Sequence, residues 1–296
     1  MLPATVTRRV ETIPEVSRSG KSINGLFRLL ETPALWMQAY QKIHTNKGAI
    51  TPGVDRTTMD GFSDERVFNL IELLKTDRYR PKPVRRTYIP KGDGRTRPLG
   101  VTTGDDKLVQ EVIRGLLERI YEPIFSDRSH GFRPKRSCHT ALGEIDDRWT
   151  GVKWFVEADI EGFYNNLDHR ILLQALGKQI EDARFLRLIE RFLTAGYLED
   201  WHWNPTYSGA PQGGIVSPIL SNVYGRLFGR KGTVASMLPW IDGNPRPHSG
   251  MPRGQAQGAW SASRRQRDLC VGRRPARGRR VGENQKGKPV IGEDET

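Results

Sequence analysis

The chain has 296 residues, enough for about two domains of roughly 100–200 residues each, and its 47 Lys and Arg exceed its 34 Asp and Glu to give a formal net charge of +13. Such an excess of cations is typical of proteins that bind nucleic acid. No segment approaches the roughly 18 consecutive apolar residues of a membrane-spanning helix, and the N-terminus has no secretory apolar run. The composition therefore argues against membrane insertion and favours the cytoplasm, where Cys138 and Cys270 are expected to be reduced thiols.

The first eighty residues divide into a polar lead-in and a helical region. Residues 1–22 mix Pro, Ser, Thr and charge without periodicity, so we predict a flexible segment. Over 23–80 the apolar spacing predicts three helices. Thr32 and Pro33 are suited to the N-cap and first turn of the second helix, and Ser63 to the N-cap of the third.

Residues 81–150 contain a basic hairpin and a long helix. Two β-rich runs within 84–101 flank the turn Lys91-Gly92-Asp93-Gly94, which predicts a hairpin with cations at its tip. Between Lys107 and Phe125 the apolar residues recur four apart, which predicts a long core helix.

Residues 151–224 begin with a predicted buried strand, 154–159, that ends in a carboxylate. Asp168 is placed to begin a helix, and 181–198 predicts another. Over 225–296, Gly, Pro, Arg and Gln dominate, a composition that predicts disorder. Because strands and helices interleave without regular alternation, we predict an α+β fold.

Three features near the predicted strand have chemistry suited to a nucleotide site. Asp159 at a strand end could hold Mg²⁺, a cation that prefers oxygen ligands, although capping a helix or turn is the commoner role of such a residue. Tyr164 could reach the same pocket, but core packing explains an aromatic ring equally well. The segment 209–218 opens with a Gly/Pro turn in which Gln212 can both donate and accept hydrogen bonds. Taken singly, none of these features identifies a function.

Taken together and in order, four segments resemble successive sequence blocks of group II intron-encoded reverse transcriptases. They are RRTYIPKGDGRTRPLGV, SHGFRPKRSCHTAL, ADIEGFYNNLDH and GAPQGGIVSPILSN. Upstream, NKGAITPGVD resembles the N-terminal extension of the same class. The resemblance covers about residues 23–224, and it implies a right-hand polymerase with a helical extension over 23–80, fingers over 81–150 and a partial palm over 151–224.

The resemblance also implies a role for individual residues. Asp159 and the backbone carbonyl of Ile160 would hold Mg²⁺, and Tyr164 would pack beneath the sugar of a deoxynucleoside triphosphate. The implied partners are an intron RNA template, a DNA or RNA primer and deoxynucleoside triphosphates, in the bacterial cytoplasm. The other implied contacts are Lys91 and Arg97 with the triphosphate, Pro211, Gln212 and Gly213 along the nucleotide pocket, and Arg133, Lys135 and Arg136 with RNA.

The sequence departs from the family in two ways. Glu161 and Asn165 stand where relatives have Lys and Asp. A Tyr-Ala-Asp-Asp string, which supplies the family's other catalytic carboxylates, does not occur in these 296 residues. The Asp pairs 105–106 and 146–147 lie upstream, and two-metal catalysis needs several carboxylates in one place.

The missing string leaves several interpretations open. A truncation or frameshift after about residue 224 would explain it, and we then expect little polymerisation from these residues alone. The alternatives are a non-catalytic RNA-binding maturase remnant and a degenerate gene product. Whether a homodimer forms, or another chain supplies the carboxylates, is left open by the sequence.

Overall fold

The structure, a computed structural model, describes residues 2–92, 94–151, 160 and 162–229. All of them belong to one compact unit, Met1–Gly250. Helices and strands interleave along this part of the chain, which confirms the predicted α+β class. The strand predicted over 154–159 lies outside the described residues, as does the tail predicted over 225–296 apart from its first five residues, which continue a helix.

The helices of the described residues are, in chain order, α1 (Ala4–Arg18), α2 (Leu26–Leu29), α3 (Pro33–Ile43), α4 (Asp64–Lys75), α5 (Gly104–Tyr121), α6 (Cys138–Arg148), α7 (His169–Gly177), α8 (Ala183–Thr194) and α9 (Ser217–Gly229). The strands are β1 (Val84–Pro90), β2 (Thr96–Val101), β3 (Tyr197–Glu199) and β4 (His202–Asn204). None of these helices is long and apolar enough to cross a membrane.

The N-terminal segment is helical, so the prediction of a flexible lead-in over 1–22 is wrong for Ala4–Arg18. Pro14 inside the helix and a largely polar sequence hide it from local propensity. Val10 and Ile13 are buried, α1 packs along α5, and the Ser17 hydroxyl donates to the carbonyl of Ile120. Packing of one face against a neighbouring helix therefore stabilises α1.

The long helix α5 lies at the centre of the unit and confirms the core helix predicted there. It packs against α1, α3 and α9, and most of its residues are buried. Thr103 caps its N-terminus by accepting from the Asp106 amide at 3.2 Å. Buried Lys107 donates its Nζ to the carbonyls of Gly48 and Thr51 at 2.8 and 2.5 Å, which attaches the loop before α4 to the helix.

The four described strands form one mixed sheet in the order β2-β1-β3-β4. β1 and β2 are the predicted antiparallel hairpin, β1 pairs with β3 in parallel, and β3 with β4 is antiparallel. The helix predicted over 181–198 is too long, because α8 ends at Thr194 and Gly196, at φ +80°, turns the chain into β3.

Helix caps explain several element boundaries. Ser63 and Asp168 accept from the amides of Arg66 and Ile171, as their positions predict. α6 was not predicted, although Ser137 and Thr140 form a capping box at its start.

Candidate active site

A tight turn positions Tyr164. The carbonyl of Gly162 accepts from the amides of Asn165 and Asn166 at 2.8 and 3.0 Å, and Gly162 itself has φ +62°. The turn leaves Tyr164 half-buried beside Phe163, whose ring centroid lies 6.0 Å away. The hydrogen bonds of the turn thus fix the backbone at Tyr164.

The loop 209–214 docks directly on this turn. The amide of Gly209 donates to the carbonyl of Leu167 at 2.7 Å, and the amide of Ala210 donates to the carbonyl of Tyr164 at 2.8 Å. A Cβ on Gly209 would lie 2.8 Å from the Tyr164 oxygen, so the approach requires glycine. The structure therefore brings Tyr164 and the predicted nucleotide loop together.

The far end of the same loop is bound to the sheet. The amide of Gly100 in β2 donates to the carbonyl of Gln212 at 2.6 Å. Gly213 has φ +105°, and a Cβ there would lie 2.7 Å from the carbonyl oxygen of Gly100. Pro211 accepts from the hydroxyl of Ser217, the first residue of α9, at 2.8 Å. The loop thus bridges the Tyr164 turn, β2 and α9.

Two side chains that the sequence analysis did not single out hold this loop. Gln110 is buried on α5, and its Oε1 accepts from the amide of Val216 at 3.3 Å. The Nε2 of His169 lies 2.6 Å from the carbonyl of Gly209. The sequence signal for His169 is its place directly after the N-cap Asp168, whereas Gln110 carries no local signal.

The basic hairpin is formed by β1 and β2, the strand to which the loop is bound. Lys91 and Arg97 are both exposed, and Arg97 lies opposite Ile89 in the hairpin register. Because strand residues rise about 3.3 Å each, Arg97 is about 10 Å along β2 from Gly100, where the loop docks. Both cations therefore face solvent on the hairpin whose strand β2 the loop contacts at Gly100.

The predicted metal ligand Asp159 lies outside the described residues, and the neighbouring Ile160 is exposed. Within the described ranges, no three His, Cys, Asp or Glu side chains lie close enough together to hold a metal ion.

Neither Asp of the pair 105–106 is a free ligand. Asp105 pairs with Arg66 at 2.6 Å. Burial raises the pKa of Asp106 to about 6, against the opposing effect of hydrogen bonds from the Tyr79 and Thr103 hydroxyls and the Lys82 amide. Both carboxylates hold the fold around α5.

The predicted RNA-contact segment contains one residue with an internal role. The side chain of Arg133 is only 3% exposed, all three guanidinium nitrogens donate to Glu122 or to two backbone carbonyls, and the cation lies 5.3 Å from the Phe125 ring centroid. We therefore replace its predicted RNA contact with a structural role. Lys135 is exposed, and Arg136 pairs with Asp127 at 2.9 Å.

Comparison with known proteins identifies the family. Residues 89–230 match the family "Reverse transcriptase (RNA-dependent DNA polymerase)". Over 200 residues the chain is 51% identical to the group II intron-encoded protein LtrA of Lactococcus lactis subsp. cremoris. The aligned region covers 67% of this chain and 33% of LtrA. The chain belongs to the group II intron reverse transcriptase family.

Two further matches have lower identity to the chain. Nuclear intron maturase 1, mitochondrial, of Arabidopsis thaliana is 36% identical over 88 residues, 30% of this chain and 12% of its own length. A solved structure titled "Partial Cas6-RT-Cas1--Cas2 complex" aligns with 70% of this chain and 34% of its own chain, at 21% identity and a TM-score of 0.45. The chain spans about a third of the length of LtrA.

Proposed function

We propose that this reverse transcriptase chain forms the deoxynucleotide-binding side of an RNA-directed DNA polymerase site. The observation that carries the proposal is the backbone joint between the Tyr164 turn, the 209–214 loop and β2. Three separate segments meet there, and one of them, β2, belongs to the hairpin that bears the exposed cations. An aromatic ring beside a glycine-rich loop would suit a sugar and a base, and the cations of the hairpin would suit a triphosphate.

Each residue then has a distinct task. Lys91 and Arg97 neutralise the triphosphate, as cations do for transferring phosphoryl groups. Tyr164 packs beneath the sugar, where a 2′-hydroxyl would collide with the ring. The loop residues Pro211, Gln212 and Gly213 line the pocket beside it.

Magnesium is the cation that these residues would suit. Asp159 and the carbonyl of Ile160 would offer oxygen ligands, the type that Mg²⁺ prefers. When bound, the ion would neutralise phosphate charge and orient the α-phosphate toward a primer hydroxyl. These 296 residues include no Tyr-Ala-Asp-Asp string, so we propose that they bind nucleotide and do not polymerise by themselves.

Nucleotide binding and primer extension test the proposal together. The 296-residue protein should bind a deoxynucleoside triphosphate in a Mg²⁺-dependent manner in equilibrium dialysis, and Asp159→Ala should remove that dependence. Asp146→Ala, on exposed α6, is the matched control and should bind like wild type. If deoxynucleotide affinity is the same with and without Mg²⁺, and the same in wild type and Asp159→Ala, the assignment of the metal ligand is refuted. Magnesium-dependent cDNA synthesis by this polypeptide would refute the claim that it does not polymerise.

A second candidate function, RNA binding without catalysis as in a maturase, is favoured by the charge of +13 and the absent carboxylate string. Intron RNA and a primer are the proposed partners, and the bacterial cytoplasm is the proposed compartment. Asp159→Ala distinguishes the two candidates, because it should leave RNA affinity unchanged or slightly higher while the Mg²⁺-dependent part of nucleotide binding is lost.

A further inference from the structure

One side chain ties the predicted nucleotide loop to the helix that follows the Tyr164 turn. His169 is the first residue of α7, and its Nε2 lies 2.6 Å from the carbonyl oxygen of Gly209. A carbonyl can only accept a hydrogen bond, so this nitrogen must carry the proton. The imidazole is half-buried, which limits competition from water for the same carbonyl.

The bond falls at the point where the loop and the turn meet. Gly209 donates its amide to Leu167 and accepts from His169, so its peptide groups are held on both sides. The next amide, of Ala210, donates to the carbonyl of Tyr164 itself. A second side chain, Ser208, donates to the carbonyl of Asn165 at 3.1 Å. The distance between Tyr164 and the loop is therefore set by a joint in which His169 supplies the shortest side-chain bond.

We propose that His169 is a positioning residue that sets the preference for deoxynucleotides over ribonucleotides, an inference that rests on the proposed nucleotide site. An aromatic ring excludes a 2′-hydroxyl only if the base and triphosphate are held at a fixed distance from it. Misplacement of bound groups by about 1 Å can change reaction rates about a hundredfold, so we expect discrimination to be sensitive to this distance as well. In this proposal His169 does not contact the nucleotide. It fixes the position of Gly209, three residues before Gln212, relative to Tyr164.

A purely structural histidine would behave differently. If His169 only stabilises the start of α7, its loss lowers stability and weakens all nucleotides equally. If it positions the loop, its loss changes the ratio of two affinities. The ratio is therefore the measurement that separates the two roles.

The test measures dissociation constants of dCTP and CTP by equilibrium dialysis, with the 296-residue protein, Mg²⁺ and an annealed RNA template and DNA primer. In His169→Ala, the dissociation constant of CTP divided by that of dCTP should fall about fivefold. This is the effect expected for the loss of one neutral hydrogen bond. His169→Gln, whose amide nitrogen reaches a similar position, should restore most of the ratio. His139→Ala, an exposed histidine in the first turn of α6, is the control and should match wild type.

Hydrogen exchange without nucleotide gives an independent reading of the joint. The amides of Gly209 and Ala210 should exchange faster in His169→Ala than in wild type or His169→Gln. Unchanged exchange would overturn the proposal, and so would faster exchange with an unchanged affinity ratio. If wild type binds neither nucleotide, the proposed function fails. Faster exchange in His169→Ala would then show that His169 holds the loop, but without any role in nucleotide selectivity.

Discussion

Asp106 shows how one buried side chain makes the stability of this protein depend on pH. Its pKa is raised by burial to about 6 from a usual 3.8, so the folded chain holds a proton that the unfolded chain releases between those values. The contribution of Asp106 to stability must then fall as pH rises from about 4 to about 6 and stay level above that, since its unfolded form binds fewer protons in this window. The whole effect is about 3 kcal/mol at most, from about two pKa units.

We predict that Asp106→Asn removes this dependence. Urea unfolding of both proteins across the window should show wild type losing up to about 3 kcal/mol relative to the variant as pH rises from about 4 to about 6. Asp146→Asn on the exposed face of α6 should follow wild type. Parallel stability curves for wild type and Asp106→Asn would contradict the raised pKa.

Sequence alone was informative at this scale only where the signal is local. The caps Ser63 and Asp168 were predicted because a hydroxyl or carboxylate before an apolar period is a local signal. The resemblance implied an RNA contact for Arg133, but its partner Glu122, eleven residues away, engages its guanidinium within the fold. His169 was missed because its acceptor, Gly209, lies forty residues away.

At the scale of elements, α1 depends on its contact with α5. We predict that Ile13→Ala costs about 2–4 kcal/mol, the usual range for removing a buried aliphatic side chain, because Ile13 is only 4% exposed. Glu11→Ala, on the exposed face of the same helix, should change stability by less than about 0.5 kcal/mol. Equal effects of the two substitutions in urea unfolding would show that α1 does not dock.

The docking of the loop 209–214 on β2 should be sensitive to substitution of Gly213. An alanine there meets both the positive φ and the carbonyl oxygen of Gly100, so Gly213→Ala should cost roughly 1–3 kcal/mol and speed exchange of the Gly100 amide. Gly143→Ala on α6, where a Cβ meets no atom within 4 Å, should be neutral or stabilising by up to about 1 kcal/mol. A protected Gly100 amide in Gly213→Ala would mean that the loop is not bound to β2 as described.

The elements show the same limit of sequence reasoning as the residues. Periodicity predicted α3, α4, α5 and the β1–β2 hairpin, because each carries its own apolar pattern or turn. It failed for α1, whose stability comes from packing against a helix a hundred residues away. The pairing of β1 with β3 likewise joins distant segments, of seven and three residues. The paired stretch is too short to be recognised from the sequence.

At the scale of the whole molecule, the positive charge is unevenly distributed along the chain. Residues 230–296 contain 14 Lys and Arg against 6 Asp and Glu, so this segment supplies more than half of the net charge of +13. Non-specific affinity for RNA should therefore depend strongly on that segment. Outside that segment, the exposed Lys135 is the predicted RNA contact that a single substitution can test.

We predict steep salt dependence of RNA binding by the full chain. Roughly five phosphate contacts on single-stranded RNA correspond to about a hundredfold loss of affinity between about 50 and about 200 mM salt. Lys135→Ala should reduce the log–log slope by about 0.7, whereas Lys178→Ala, also exposed, should not. Filter binding across a salt series measures both, and a flat series would argue against RNA phosphate as the partner.

The ammonium group of Lys107 has a consequence for any shortened version of this protein. Burial lowers its pKa, and two carbonyl oxygens from the loop ahead of α4 take the place of its water shell. A fragment that started after residue 51 would lack both carbonyl oxygens, so this cation in the central helix would lose the two acceptors that hold it in the fold. Trimming the N-terminus would thus damage the centre of the fold rather than its periphery.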